Sequence, residues 1–139
     1  MIALDTNVLV RYLLNDDGAQ AAEAERLLDS GEVLAVPVTV WLELAWVLES
    51  YGCTEAEVVR AIRHLLGLPN LHTSDTIALL RALEWFERGM DFADAFHLAL
   101  ASRAQSLASF DRDLARKAEK LGAHPPVLRL GARQGGSVV

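Results

Sequence analysis

A single cysteine, Cys53, stands in the 139 residues, so no internal disulfide can form and the fold does not rely on an oxidising compartment. Lysine is scarce as well, with only Lys117 and Lys120 present. No apolar run approaches the ~20 residues that a membrane-spanning helix needs, and no basic region precedes an apolar core at the N-terminus. Together these absences predict a soluble, cytoplasmic chain with no membrane partner. The four histidines, His64, His72, His97 and His124, lack the paired spacing of metal ligands. That points away from zinc, which prefers Cys and His.

What is present is apolar. The chain is 52% hydrophobic and 23% charged, enough apolar side chain to offset the entropy of ordering, so it is expected to be globular. Its length suits one domain, placed at residues 1–130, while Gly131 to Val139, with three glycines and no periodicity, reads as a disordered C-terminal tail. The net charge of −6 argues at first sight against a nucleic-acid ligand, whose backbone attracts Lys and Arg. The arginines are scattered along the chain, so the location of charge matters more than its total.

Apolar runs and helical periodicities alternate along the chain. A strand at Met1 to Leu4 leads through Asp5 into a helix, and Asp16-Asp17-Gly18 separates it from a second helix over Ala19 to Ser30. A strand at Val33 to Val36 precedes a helix opened by Pro37 and closed by Gly52, and Thr54-Glu55-Ala56-Glu57 has capping-box spacing for a helix to Leu66. A short strand at Leu71 to Thr73, a helix to Arg88, a helix from Phe92 to about Gln105, a strand at Leu107 to Phe110, a helix over Arg112 to Leu121 and a strand at Val127 to Leu130 complete the pattern. Short apolar strands alternating with helices predict an α/β fold, a three-layer α/β/α sandwich around a mainly parallel sheet of four or five strands. In such sheets ligands bind beyond the carboxyl ends of the strands.

Four acids stand in apolar surroundings at those positions. Asp5 and Asp111 follow predicted strands directly, and Glu43 and Asp94 lie early in predicted helices. A charge withdrawn from water is normally paired or metal-bound, and only Arg112 adjoins any of the four in sequence. Each has an ordinary explanation when taken alone. Asp5 and Asp111 suit helix N-caps, and Asp94, three residues after Asp91, suits the helix dipole. Glu43, flanked by Trp41, Leu42, Leu44, Ala45 and Trp46, could still be a solvated stripe on a buried helix. Jointly the case is stronger, because carboxylates ~5 Å apart repel by roughly 3 kcal/mol per pair at an effective dielectric of ~20. Shared protons or a hard dication could hold such a group together, and all-oxygen ligation suits Mg²⁺ or Mn²⁺. With four acids neutralised in this way the remaining protein would carry −6 + 4 = −2. His97, on the same helical face as Asp94, reads as a packed or hydrogen-bonding residue rather than a ligand.

The stretches Leu4-Asp5-Thr6-Asn7-Val8-Leu9, Glu43-Leu44-Ala45-Trp46-Val47-Leu48, Asp91-Phe92-Ala93-Asp94-Ala95 and Ser109-Phe110-Asp111-Arg112-Asp113, in this order and spacing, resemble a PIN-domain ribonuclease, specifically a VapC-type toxin of a bacterial toxin–antitoxin pair. The resemblance runs from Ile2 to about Leu130. It implies that Asp5, Glu43, Asp94 and Asp111 are the catalytic, metal-binding quartet, with Asn7 and Ser109 as polar supports. Asp113 could assist Asp111, and Asp91 could support the site from its capping position. It further implies Mg²⁺ or Mn²⁺ as cofactor, RNA as substrate, 5′-phosphate and 3′-hydroxyl products, a cognate antitoxin and a homodimer. Independently, Trp41, Trp46 and Trp85 are enough large apolar surface for an interface, although core packing explains each equally well.

Two other classes share parts of this pattern. A receiver-like signalling domain also gathers acids at strand ends and binds Mg²⁺, but it needs a phosphoacceptor Asp in mid-chain and a strand-end Lys, and both lysines fall on a predicted helix. A small phosphatase of the haloacid-dehalogenase type wants a second Asp two residues after Asp5, where Asn7 stands.

Overall fold

A computed structural model describes residues 1–131, and the tail expected at residues 131–139 lies, apart from Gly131, outside the described residues. The chain divides into two compact units, Met1–Thr76 and the residues from Ile77 onward.

The first unit is built on three two-residue strands, β1 (Ile2–Ala3), β2 (Leu34–Ala35) and β3 (Leu71–His72), paired in parallel in the order β1-β2-β3. Ile2 N–H donates to the Val33 carbonyl and Leu4 N–H to the Ala35 carbonyl, each at 2.8 Å, so the chain leaves β1 in register at Asp5. Four helices follow or connect these strands: α1 (Thr6–Leu14), α2 (Gly18–Leu28), α3 (Val38–Ser50) and α4 (Glu55–Leu66). Asp5 caps α1, Asp17 caps α2 by accepting from Gln20 N–H, and Thr54 and Glu57 close the expected capping box on α4. Such caps are each worth ~1 kcal/mol because they satisfy amides that the helix leaves without partners. Helix α1 packs on α2 and α3, and Leu9, Leu34, Trp41, Leu44 and Ile62 are fully buried. The Trp41 indole, 0% exposed, donates to Thr73 Oγ1 at 2.9 Å. That bond lets a polar ring edge lie in the interior without an unmet donor.

The second unit carries α5 (Thr76–Glu87, whose first residue belongs to the first unit), α6 (Phe92–Leu100), β4 (Leu107–Ser109), α7 (Arg112–Leu121) and β5 (Val127–Arg129). Its two strands pair in parallel, with Ser109 opposite Arg129. Phe86, Phe92 and Phe96 form a buried aromatic cluster with ring centroids 5.7 Å apart in edge and tilted contacts, and α7 packs on both strands. Five strands, all parallel, and seven helices among the described residues thus agree with the α/β class read from the sequence. The helix expected to run to Gln105 ends at Leu100. Ala101 closes it through its N–H to the carbonyls of His97 and Leu98, and Ala104 N–H then bonds Ala101 in a separate turn. The apolar face that α6 buries stops at Leu98 and Ala99, so nothing beyond holds the helix against the core. Among the described residues no helix is long and apolar enough to cross a membrane.

Candidate metal centre

Asp5 leaves β1 and accepts from Thr6 N–H through Oδ1 at 2.9 Å. The expected capping role is therefore real, and it engages one oxygen of an exposed carboxylate. Beside it Thr6 is buried, and its Oγ1 finds no hydrogen-bond partner. Unmet buried hydroxyls are uncommon enough to need a reason. Nothing in the sequence marks this one beyond its place next to Asp5. Asn7 is exposed in the first turn of α1 and lines a groove of about 580 Å³ between α1 and α2, with Val8, Arg11, Ala24 and Leu27 among its walls.

Glu43 corrects one premise. Its sequence neighbours predict apolar surroundings with little solvent, yet the structure leaves it exposed. Thr39, Glu43, Trp46 and Ser50, at spacings of four, three and four, form one exposed stripe along α3, while Val40, Trp41, Leu44, Ala45 and Leu48 are buried. The solvated stripe is the correct local reading, and a carboxylate there costs nothing in desolvation. Of the three tryptophans only Trp46, 71% exposed, is free of the interior, for Trp41 and Trp85 are buried.

Of the candidate acids, the ones with shifted pKa values lie in the second unit. Asp91 caps α6, accepting from Asp94 N–H at 3.1 Å. Asp94, half-buried in the first turn of α6, has its pKa raised, first by burial and then by the charges of Asp91 and Asp111, with His97 and Lys117 partly opposing. A cation that sequence distance conceals, Lys117 on α7, is thus felt at Asp94. Asp111 follows β4, and its Oδ1 accepts from the N–H groups of Asp113 and Leu114 at 2.9 and 3.1 Å, so it caps α7. Ser109 Oγ in turn accepts from Asp111 N–H at 3.0 Å, which makes Ser109 a support for the turn that presents Asp111. Asp113 behaves differently. It is ion-paired to Arg116 and, at 3.2 Å, to Lys117, and these partners hold its pKa below the ordinary value. Its charge already has an answer, whereas Asp94 sits between like charges.

Among the described residues no three Asp, Glu, His or Cys side chains are disposed as they stand to hold a metal ion. The chemistry of the donors nevertheless suits a hard divalent cation. In the second unit the charges of Asp91 and Asp111 act on Asp94, so three carboxylates there offer oxygen donors. Oxygen donors of this kind suit Mg²⁺ or Mn²⁺ better than zinc.

An α/β protein with Asp5 and Asp111 at the carboxyl ends of parallel strands, and with Asp94 half-buried on a helix, has the layout of the α/β proteins that bind ligands at that edge of a sheet. The chain belongs more particularly to the PIN domain family, whose sequence profile matches residues 2–120. This is a family of α/β proteins that are typically nucleases using divalent metal ions. No curated protein matches the chain.

Proposed function

We propose that this PIN-domain nuclease is a Mg²⁺- or Mn²⁺-dependent endoribonuclease that acts as the toxin of a toxin–antitoxin pair. In this reading Asp5, Glu43, Asp94 and Asp111 hold the metal. The observation that carries it is the PIN family match over residues 2–120, and Asp94, half-buried and acted on by the charges of Asp91 and Asp111, adds to it. A bound divalent cation lowers the pKa of an attacking water and offsets charge on the leaving oxygen of a phosphodiester.

The chain's own residues prepare that chemistry. The caps made by Asp5 and Asp111 each use Oδ1, which fixes the carboxylate and leaves the second oxygen for ligation. Ser109 holds the backbone of Asp111, and Asp91 orders the first turn of α6 on which Asp94 is carried. Asn7 and Asp113 are assigned supporting roles only, Asp113 by positioning Lys117 near the site. The resemblance to PIN-domain ribonucleases implies products with 5′-phosphate and 3′-hydroxyl ends, and chelation of the metal should abolish activity. A toxin of this kind acts in the cytoplasm, is covered by a cognate antitoxin and works as a homodimer. The exposed Trp46 side chain is an anchor of the type such interfaces use.

The test is cleavage of total cellular RNA by the purified chain and by Asp5→Asn. The expected result is Mg²⁺-dependent fragments with 5′-phosphates from the wild type only. Undiminished cleavage in excess EDTA, or stable phosphorylation by a small phosphodonor without cleavage, refutes the reading. For the toxin role, induction of the wild type should arrest bacterial growth and induction of Asp94→Asn should not.

A further inference from the structure

Outside the acidic residues, the second unit has a surface whose chemistry the nuclease reading does not use. We infer that Phe110, Arg112 and Arg129 form a lane that binds single-stranded RNA beside Asp111, with Phe110 stacking on a base and the two arginines contacting phosphates. The inference rests on the ribonuclease reading and names the part of the chain that grips the strand.

The placement follows from the β4–β5 register. Ser109 pairs with Arg129, and Leu130 N–H donates to the Ser109 carbonyl at 2.8 Å, so Arg129 ends β5 at the same edge from which Phe110, Asp111 and Arg112 leave β4. Arg112, Arg116 and Arg129 line a cavity of about 420 Å³ with Glu119 as the one acid among its described walls, floored by Ala115 and Val127. Arg116 is engaged by Asp113. Arg112 and Arg129 are exposed and have no ion pair among the described residues. In a chain of net charge −6, two uncompensated guanidinium groups on one cavity are a local exception, and phosphate is the anion their planar forks suit.

Phe110 makes the surface specific to an unpaired strand. The residue is 76% exposed, yet its ring is seated. Gly131 has a φ of +84°, and a Cβ there would lie 3.1 Å from Phe110 Cδ1, so the absence of a side chain lets the ring lie close against the backbone. Phe110 is not itself a wall of the cavity but leaves β4 two residues before Arg112, which is one, and an exposed aromatic close in the chain to basic side chains is what proteins use to hold single strands, where bases are free to stack. An acidic protein segment is the competing occupant, since it could answer the arginines and pack on the ring as well, so binding of labelled poly-glutamate is measured alongside that of RNA.

The test measures binding of a labelled 12-nucleotide single-stranded RNA by anisotropy, in EDTA to prevent cleavage, over a series of NaCl concentrations. Arg112→Gln/Arg129→Gln should weaken binding and reduce the slope of log K against log salt by about 1.4, at ~0.7 for each phosphate no longer neutralised. Phe110→Ala should weaken binding about tenfold with the slope unchanged, and Phe110→Trp should restore it. An unchanged slope in the arginine variant, an unchanged affinity in Phe110→Ala, or loss of poly-glutamate binding with RNA binding intact overturns the inference. Circular dichroism of each variant confirms the fold. Cleavage of RNA in Mg²⁺ by chains whose binding ignores these substitutions would sink the lane and leave the nuclease. Binding that follows them in a chain that never cleaves would do the reverse.

Discussion

The two compact units treat their acids differently. In the first, Asp5 caps a helix and is otherwise exposed, and Glu43 stands on a solvated stripe, so neither carboxylate is withdrawn from water. In the second, Asp94 is half-buried and shares its surroundings with Asp91 and Asp111. A carboxylate can thus be assigned to a metal either because it is cheaply available or because its charge is uncomfortable without one. Only the second kind announces itself through its electrostatics.

The largest expected effect exploits this contrast. Asp94→Asn should lower RNA cleavage by about a hundredfold or more, on the order of 3 kcal/mol in transition-state stabilisation, with the circular dichroism spectrum unchanged. Glu43→Gln should cost activity on a similar scale while changing stability by less than ~0.5 kcal/mol, as surface substitutions do. If Glu43→Gln cleaves RNA at the wild-type rate, the first unit's share of the assignment fails. Within α3 the contrast is one of packing. Trp41→Ala should lose ~3–5 kcal/mol from the emptied interior and from the bond to Thr73. Trp46→Ala, on the exposed stripe, should be near neutral in urea melts of the monomer, and equal losses would contradict the burial described.

A smaller effect separates capping from charge. Asp111→Ala removes the acceptor of two helix amides and should cost ~1 kcal/mol. Asp111→Asn keeps an acceptor and should lose far less stability while still losing cleavage, as read by thermal melts alongside the nuclease assay. The smallest effect concerns pH. Because the Asp94 pKa is raised in the folded chain by burial and by Asp91 and Asp111, the native state binds more protons than the unfolded chain between the ordinary carboxylate pKa and the raised one. Stability should therefore fall as pH rises through that window. Without metal, Asp94→Asn should melt above the wild type at pH 7, and the gap should close as pH drops below ~4. A gap that persists in acid would assign the difference to packing instead.

Much of the fold was legible because its boundaries carry local chemistry. Thr54 with Glu57, Asp91 before α6 and Asp111 before α7 each mark a helix start that the structure keeps, and α7 occupies the residues expected of it. The end of α6 was not legible, since Ala101, Arg103 and Ala104 are sound helix formers and the buried face is lost beyond Ala99. The capping roles of Asp5, Asp91 and Asp111 were readable for the same local reason. The exposure of Glu43 was harder, because Trp46 three residues on is apolar in sequence but open to solvent in the fold. Lys117 near Asp94 and the unpartnered Thr6 hydroxyl depend on contacts between distant or buried atoms, which spacing alone does not encode.

Whether the acids are metal ligands is tested most directly, and without reference to any substrate, by Mn²⁺ binding followed by electron paramagnetic resonance. The wild type should sequester Mn²⁺ in competition with Mg²⁺, and Asp5→Asn, Glu43→Gln, Asp94→Asn and Asp111→Asn should each weaken it, whereas Asp113→Asn should have the least effect. Free Mn²⁺ signal undiminished by the wild type, or uptake by all four variants equal to that of the wild type, would contradict the assignment.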